Sequence, residues 1–228
     1  MTYNPSNIRT AGIRVLRSSN IAEDQFVIGD EDVFVDPGAV NIPFAKQGDI
    51  LITSANGSTR LVGKHSIIKD IPDKSAVPGG FMLLASANNP EFVDALMGAP
   101  WYSDFIALYV AGGNGAIGNL NKNDLDQQIV YAPSETEQKA IGGFFENLNN
   151  LITLHQREPS NLSVLLHTLK SSVSHKSLVE NLYATFVSLY SPLFYATQKA
   201  EPRSAPLSGY LRINTYLKWQ YGFLHRSP

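Results

Sequence analysis

The sequence contains no cysteine, which excludes disulfide bonds and thiolate metal ligands from its 228 residues. It also lacks an apolar run of the ~18 residues that a membrane-spanning helix needs. The longest apolar segment, residues 182–197, is interrupted by Ser191 and Pro192. Its first residues, MTYNPSNIRTAG, have no apolar core and do not resemble a signal peptide. These absences predict a cytoplasmic protein without a membrane anchor.

Signatures of catalysis are absent as well. The five histidines do not stand at metal-ligand spacing with carboxylates, and no nucleophile elbow, phosphate-binding loop or zinc-protease motif occurs. Residues 113–118 spell GxGxxG, but residues 119–126 are polar and show no amphipathic helical pattern, which disfavours a dinucleotide-binding loop. We expect no catalytic residue, no metal and no cofactor. A nucleotide-dependent enzyme built on this loop is one alternative, and it would retain NAD or AdoMet on purification.

The charge of the chain is small overall but unevenly distributed. Residues 1–160 hold 18 acidic and 11 basic side chains and residues 161–228 hold 2 and 7, so that −7 and +5 sum to −2. Each DNA phosphate that a protein neutralises needs a Lys or Arg nearby. The acidic first part therefore predicts weak non-specific DNA binding, and a DNA-binding role would need local basic loops or the charges of a partner.

Short strands separated by polar loops are predicted for the first third of the chain. Apolar and β-branched runs indicate strands at residues 13–16, 25–28, 33–35, 50–53 and 61–64. The loop at 17–20 and the Asn-Gly loop at 54–60 present cations, hydroxyls and amides. These groups contact phosphates and base edges in DNA-binding proteins, and they are equally common in ordinary turns.

Two short helical segments are predicted next. Asn89 and Pro90 form a helix start for residues 91–97, and Pro100 ends that segment. The second segment covers residues 101–110, and its predicted core residues are Trp101, Phe105, Leu108 and Tyr109. A last strand is predicted at 127–131, and it ends at Pro133.

Residues 134–158 predict a long amphipathic helix. Ser134 and Glu137 have the spacing of a capping box, in which the two side chains cover each other's backbone amides. Apolar residues then recur at helical spacing, at Ile141, Phe144 or Phe145, Leu148, Leu151 or Ile152, with His155 next in the series. The helix would be about 37 Å long. It either packs on its own domain or forms one half of a helix pair that sets the distance between two functional parts.

The same region carries a resemblance to a known family. Tyr131-Ala132-Pro133 is followed by Glu137-Gln138, Ile141-Gly142, Phe144-Phe145, Leu148, Leu151-Ile152 and His155-Gln156-Arg157. This series resembles the conserved region of DNA-specificity (S) subunits of type I restriction-modification systems, except that the family usually has an acidic residue at the position of Asn149. GIRVLRSSNI, GDILITSANGSTRLVGK and GGFMLL resemble segments of the target recognition domains of these subunits. Beyond Glu158 the resemblance ends, and Pro159 predicts a kink or stop.

The resemblance implies an α+β protein with three parts. Residues 1–133 would be one target recognition domain that lacks the usual N-terminal part of the family domain. Residues 134–182 would be a conserved helical spacer and dimerisation region, projecting as a coiled-coil-type helix and kinked near Pro159. Residues 183–228 are an unassigned tail, for which a foreign or rearranged C-terminus is one hypothesis.

The function implied by the resemblance is that of a half-length, non-catalytic specificity subunit. Such a subunit reads one half of a bipartite double-stranded DNA target and docks modification (methyltransferase) subunits, which carry AdoMet, while the restriction subunit joins indirectly. The predicted DNA contacts are Arg17, Asn20, Asn56, Ser58, Arg60, Lys64 and Asn114. The predicted partner-helix residues are Ile141, Phe145, Leu148, Leu151, Ile152 and His155.

Several alternatives stay open within this interpretation. The half-subunit could pair with itself through the helix and read a split palindrome, it could be a spare recognition cassette for recombination, or it could be a degenerate remnant. A protein of another class, an interaction factor that binds modification subunits without reading DNA, also fits the acidic first part.

Overall fold

The computed structural model describes residues 4–110, 118–131, 133–157 and 210–219, which form a mixed α+β fold. The strands are β1 (Ile8–Arg9), β2 (Ile13–Leu16), β3 (Ile21–Ala22), β4 (Gln25–Phe26), β5 (Val33–Val35), β6 (Ile50–Thr53), β7 (His65–Ile67), β8 (Ala76–Pro78), β9 (Met82–Ser86), β10 (Ile129–Tyr131), β11 (Tyr210–Arg212) and β12 (Lys218–Trp219). The α-helices are α1 (Pro90–Met97), α2 (Pro100–Tyr109), α3 (Lys122–Asp126) and α4 (Glu135–Arg157). The predicted α+β class is therefore confirmed.

Two four-stranded sheets frame the described part of the chain. The first sheet has the order β1-β5-β2-β8, and only the β2–β8 pair in it is parallel. The second sheet has the order β12-β9-β6-β7 and is antiparallel throughout. β3 and β4 form a separate hairpin, and β10 and β11 form a two-stranded ribbon. The predictions of β2, β5 and β6 agree with the structure to the residue.

Strand β6 is covered on both faces. Ile50 and Ile52 lie in the largest core cluster, together with side chains of α1 and α2. Leu51 points the other way into a second cluster, where it is buried with Leu16 and Leu84. A strand that is buried on both faces needs apolar residues at every position rather than alternation. This explains why ILIT is the clearest strand signal in the sequence.

The core face of α2 differs from the prediction. Of the four predicted core residues, Phe105 is buried and Trp101 is partly buried, but Leu108 and Tyr109 are 76% and 48% exposed. The side chains that enter the core from this helix are those of Tyr102 and Phe105. The prediction for Leu108 and Tyr109 is wrong because Val110, just past the helix, fills the core at that level.

The predicted strand at residues 61–64 is also wrong. Thr59–Leu61 is a 3-10 helix, and a turn leads from it into β7, which begins at His65. Gly63 in this turn has φ +87, and a Cβ there would lie 2.5 Å from Cδ1 of Ile106. A left-handed backbone with so close a neighbour requires glycine and interrupts the strand. β6 and β7 nevertheless pair directly as an antiparallel hairpin.

Helix α4 begins with the predicted capping box. The backbone N–H and the hydroxyl of Ser134 donate to Oε2 of Glu137 at 2.9 and 2.6 Å, and the N–H of Glu137 lies 3.4 Å from the Ser134 hydroxyl. The hydrogen bonds from the Ser134 side chain and backbone hold the pKa of Glu137 below its usual value. The cap thus fixes the first turn of the helix, as the sequence predicts.

The first half of α4 packs against α1. At Gly142 the two helices are so close that a Cβ would lie 2.7 Å from the backbone nitrogen of Phe92. One turn earlier, Nδ2 of Asn89 donates to Oε1 of Gln138 at 2.9 Å. The amide of Gln138 in turn donates to the carbonyl of Pro133 at 2.9 Å, which fixes the approach to the helix. This part of α4 therefore belongs to the packed domain.

The contacts of α4 with the domain continue beyond α1. The ammonium group of Lys69 lies 3.0 Å from a carboxylate oxygen of Glu146, and the amide of Gln25 donates to the hydroxyl of Thr153. Gln25 belongs to β4, so that α4 is in contact with the hairpin β3–β4 near its described end. Helix α4 therefore contacts the domain at several points along its length, from Gln138 to Thr153.

Residues 210–219 complete the described fold. β11 pairs with β10, and β12 pairs with β9 at the edge of the second sheet. Ile213 and Leu217 are 0% and 2% exposed in the largest core cluster. Nε1 of Trp219 donates to Asp126 at 2.7 Å, and the Lys122 ammonium lies 5.5 Å from the centroid of the Trp219 ring.

The predicted division into parts therefore needs correction. The segment 210–219, assigned to an unplaced tail, is part of the domain predicted to end at residue 133. Residues 119–126, whose sequence shows no amphipathic helical pattern, contain the short helix α3, and its Leu125 is fully buried. The predicted kink near Pro159 and the rest of the spacer to residue 182 lie outside the described residues. Among the described residues, no helix is long and apolar enough to cross a membrane.

Candidate nucleic-acid interface

The first candidate loop, residues 17–20, is organised from inside by Asn20. Asn20 is 0% exposed. Its Oδ1 accepts from the backbone N–H of Arg17 at 2.8 Å, and its Nδ2 donates to the carbonyl of Val27 at 3.0 Å and to Asp32 at 2.8 Å. A buried amide of this kind must find its partners within the protein. The predicted DNA contact at Asn20 is thereby corrected, since Asn20 holds the loop in shape and does not reach the surface.

Asp32 extends this support beneath the loop. Its Oδ2 lies 2.8 Å from Nε of Arg14, and both side chains are largely buried. The Arg14 guanidinium also lies 5.0 Å from the centroid of the Phe34 ring. Arg17 is half-buried and donates through Nη2 to the carbonyl of Glu31 at 2.7 Å. The guanidinium of Arg17 is therefore held against the segment that contains Asp32.

The second candidate loop, residues 54–60, is joined to the first by a side-chain hydrogen bond. Nδ2 of Asn56 donates to the hydroxyl of Ser18 at 2.8 Å. Oδ1 of Asn56 accepts from the backbone N–H of Ser58 at 2.9 Å, which makes a local Asx turn. Two loops that are far apart in the sequence thus form one surface. We call it the two-loop surface, and its members are Arg17, Ser18, Asn56, Ser58 and Arg60.

Cations lie at one side of the two-loop surface. Ser58 and Arg60 are exposed, and Lys64 is half-buried at the base of the second loop. Within the described part of the chain, neither Arg60 nor Lys64 makes an ion pair. Because these cations have no carboxylate partner within the described residues, they are available to bind DNA phosphates.

A third loop that the sequence did not single out as a contact borders the same surface. The carbonyl of Phe81, in the turn between β8 and β9, accepts from the backbone N–H groups of Ser54 and Ala55 at 2.9 and 3.2 Å. The N–H of Gly79 donates to the carbonyl of Leu16 at 2.8 Å, next to the first loop. Phe81 itself is 71% exposed. In the sequence, only the Gly79-Gly80-Phe81 turn signal indicates this third loop.

Leu120, which follows the glycine-rich motif in the sequence, contacts the first residue of the second loop. The backbone N–H of Leu120 donates to the carbonyl of Ser54 at 2.7 Å. The predicted contact Asn114 lies outside the described residues. Of the seven predicted DNA contacts, Arg17, Asn56, Ser58, Arg60 and Lys64 therefore belong to or adjoin one surface.

A histidine–carboxylate pair follows Lys64 in the chain. Nδ1 of His65 is 2.9 Å from Oδ1 of Asp94, and the His65 ring meets Tyr102 edge-on with ring centroids 5.4 Å apart. Tyr102 donates to the carbonyl of Gly63 at 2.8 Å, and its burial raises the pKa of its phenol. Burial lowers the pKa of His65, but the hydrogen bond and charge of Asp94 outweigh it and raise the pKa above the usual value. In the described residues, no cluster of His, Cys, Asp or Glu could hold a metal ion.

The predicted partner face of α4 divides into two sides. Ile141 packs against the core cluster of its own domain, and Phe145, Leu148 and Ile152 are half-buried. Phe144 and Leu151 are 53% and 64% exposed on the side turned away. With Leu148 between them, they have the spacing of a coiled-coil seam. We call Phe144, Leu148 and Leu151 the exposed seam, in which Leu148 is half-buried between two exposed residues. The side chain of His155 lies outside the described residues.

Comparison with known proteins identifies no relative, since no family model, no curated protein and no solved structure matches the chain.

Proposed function

We propose that this chain is a half-length specificity subunit of a type I restriction-modification complex. It reads one half of a bipartite double-stranded DNA target through the two-loop surface and docks modification subunits through α4. The observation that carries the proposal is the 2.8 Å hydrogen bond from Asn56 to Ser18. It joins two loops, each from a segment that resembles a target recognition domain. The motif of residues 131–157 supplies the link to this family.

The chemistry of the two-loop surface fits both parts of DNA recognition. Arg60 and Lys64 provide cations for phosphates, which position a protein on the duplex. Ser58 and Asn56 provide a hydroxyl and an amide, which can donate to and accept from base edges in the major groove. Asn56 uses one amide proton on Ser18 and one acceptor site on Ser58, and an amide offers two of each. It can therefore hold the two loops together and contact a base at the same time.

The charge of the chain explains why the proposed function needs a complex. Residues 1–160 carry 18 acidic and 11 basic side chains, a net charge of −7, which repels a polyanion. Modification subunits would supply further positive surface, the AdoMet and the methyl transfer, and the restriction subunit would join through them. We accordingly propose that the chain acts in the cytoplasm, where this DNA is found, and that it has no catalytic role of its own.

The exposed seam of α4 is the proposed docking site. Phe144 and Leu151 are exposed along one side of a 23-residue helix whose other side contacts the domain. The coiled-coil pairing implied by the family resemblance would use this outer side. Its occupant would be a helix of the modification subunit or the same helix of a second copy, and the mass of the assembly distinguishes the two.

The test combines the purified chain, a modification subunit and a random duplex library at low salt. Light scattering gives the mass of the assembly, and sequencing of the bound DNA shows whether a split sequence is selected. We expect Arg60→Ala to weaken binding of all sequences alike and to reduce the slope of log affinity against log salt by about one unit, because one phosphate contact is lost.

Arg9→Ala is the matched control for this variant. Arg9 is a half-exposed arginine that pairs with Asp36 at 2.9 Å, and its strand β1 lies at the edge of the first sheet opposite β8. The Arg9→Ala substitution should leave both the affinity for DNA and the salt slope unchanged. Equal losses in the two variants would show that only the total charge matters, and the two-loop surface would then not be the binding site.

A second function is favoured by the net charge of −7 in residues 1–160 and by the exposed seam. In this alternative the chain binds modification subunits through α4 and reads no DNA. A stable complex that selects no sequence would support it. Failure to bind either the modification subunit or DNA would overturn both functions and leave α4 as internal packing.

A further inference from the structure

Phe81 combines an exposed side chain with a fixed backbone. Single exposed apolar side chains are common on protein surfaces and indicate nothing by themselves. Phe81 differs in its position, because its carbonyl accepts the backbone N–H groups of both Ser54 and Ala55, at the start of the second loop. Its backbone is thereby attached to the second loop, while 71% of the residue is accessible to solvent.

The turn that carries Phe81 is held on its other side as well. The backbone N–H of Met82 donates to the carbonyl of Gly79 at 3.0 Å, and Met82 is buried in the core. A Cβ at Gly79 would lie 2.9 Å from the carbonyl oxygen of Leu16 and 3.8 Å from Cγ of Arg17. The turn therefore lies directly against the first loop. A rigid support of this kind lets an aromatic side chain bind with little loss of conformational entropy.

The two-loop surface otherwise consists of polar and charged groups. Arginine, hydroxyl and amide groups recognise phosphates and the hydrogen-bonding edges of bases. They do not recognise the methyl group of thymine or the apolar face of a base, which need an apolar contact from the protein. Phe81 is an exposed large apolar residue in a turn that lies against both loops.

We propose that Phe81 is the apolar base-contacting residue of the two-loop surface and that it contributes to sequence selection in double-stranded DNA. This inference rests on the proposed DNA-recognition function and deepens it. Phe81 carries no charge, so it adds to the discrimination between sequences and not to the general attraction of phosphates.

The test uses the full chain in complex with a modification subunit. The affinities for the selected duplex and for a scrambled duplex are measured over a range of salt concentrations. Phe81→Ala should reduce the ratio of the two affinities by about fivefold to a hundredfold, the range that loss of recognition at a single base pair covers. The salt slope should stay unchanged, because no cation is removed. Phe81→Tyr keeps the ring and should retain most of the selectivity.

Ile8→Ala is the control for loss of an exposed apolar side chain. Ile8 is 46% exposed on β1, at the edge of the first sheet opposite β8, and its removal should change neither the ratio nor the slope. Melting temperatures of the variants confirm that each is folded. Replacement of single thymines by uracil locates a methyl contact, and fluorescence of 2-aminopurine reports a base step opened by the ring; either signal should disappear in Phe81→Ala.

The outcomes separate this inference from the function on which it rests. If the wild-type complex selects a sequence and Phe81→Ala selects it equally well, the role of Phe81 is overturned and the proposed function stands. If Phe81→Ala weakens both duplexes equally, Phe81 supports the loop without reading bases, and the inference is again overturned. If the wild-type complex selects no sequence, both proposals are overturned together.

Discussion

The His65–Asp94 pair shows how two single residues join separate elements of the domain. His65 opens the edge strand β7, directly after Lys64, and Asp94 lies on α1. Their 2.9 Å contact therefore ties α1 to the second sheet. Side-chain exposures of 13% and 21% leave the pair little access to water, so that it is poorly screened.

This pair predicts a pH dependence of stability. The folded pKa of His65 is raised above its ordinary value of 6.5, by its contact with Asp94 and also by the charge of Asp24. Its contribution to the free energy of unfolding is therefore fully present below pH 6.5 and disappears as the pH rises through the folded pKa. Asp94→Asn should remove this contribution, so that wild type and variant differ most at low pH. Urea unfolding between pH 5 and about 8.5 measures the difference.

The NMR titration of the His65 ring provides an independent check. Its pKa should fall in Asp94→Asn, because burial is then no longer outweighed by the hydrogen bond and charge of Asp94. Parallel stability profiles of wild type and variant, together with an unchanged titration, would contradict the assigned role of the pair.

At the residue scale, the sequence predicts the chemistry of the loops but not their exposure. Arg17, Asn20 and Asn56 are all polar loop residues and look alike in the sequence. In the structure Asn20 is buried among partners from Arg17, Val27 and Asp32, whereas Asn56 bridges to Ser18 across the surface. Such differences depend on contacts between distant segments, which a local pattern does not contain.

At the scale of elements, one glycine sets the position of α4 on the domain. Gly142 and Gly143 are adjacent in the helix, but only at Gly142 would a Cβ meet the backbone of α1, 2.7 Å from the nitrogen of Phe92. At Gly143 a Cβ would meet nothing within 4 Å. The side of the helix that contains Gly142 must therefore face the domain, and Phe145, three residues later, shares that side.

Alanine at these two positions should have opposite effects. Gly143→Ala should stabilise the protein by roughly 0.5–1 kcal/mol, because alanine is the better helix former. Gly142→Ala should destabilise it by about 1–3 kcal/mol, because the helices must move apart to relieve the overlap. Thermal or urea unfolding of the two variants tests the prediction, and similar changes of the same sign would show that α4 does not pack on α1 in this way.

The sequence predicts where α4 begins and which residues recur at helical spacing. It predicts only in part which side of the helix faces the domain. The capping box at Ser134 is a local signal and is confirmed. Two apolar residues side by side fit either face, and of Phe144 and Phe145 it is Phe145 that is predicted to face a partner. The structure turns Phe145 inward and leaves Phe144 53% exposed. The close approach of α1 at Gly142 determines which side of α4 faces the domain. A glycine inside a helical pattern is the sequence signal for such an approach.

At the scale of the whole molecule, the domain is assembled from two distant stretches of the chain. β2, β5 and β6 and the helix starts of α1 and α4 follow from local patterns. The pairing of β12 with β9 and of β11 with β10 does not. The sequence of residues 210–219 has no strong alternation or turn signal, and its role appears only through contacts such as the 2.9 Å bond from the Ile213 N–H to the Gln128 carbonyl.

The buried residues of this segment should consequently be as important to stability as those of the central strands. Ile213→Ala should lower the free energy of unfolding by about 2–5 kcal/mol, the usual effect of truncating a fully buried aliphatic side chain. Leu211→Ala, at a position that is 43% exposed, should change it by less than about 1 kcal/mol. Urea denaturation followed by tryptophan fluorescence is a direct measurement, since Trp219 lies in the same segment.

Hydrogen exchange shows whether the segment unfolds with the domain or apart from it. The β9 amides that pair with β6 and those that pair with β12 should be protected to the same extent in the wild type and lose protection together in Ile213→Ala. If Ile213→Ala instead exposed only residues 210–219 and left the β6–β9 pairing protected, the segment would be a separable cover. The rest of the domain would then be stable without it, and the two-loop surface, whose members lie between residues 17 and 60, would not depend on the distant end of the chain.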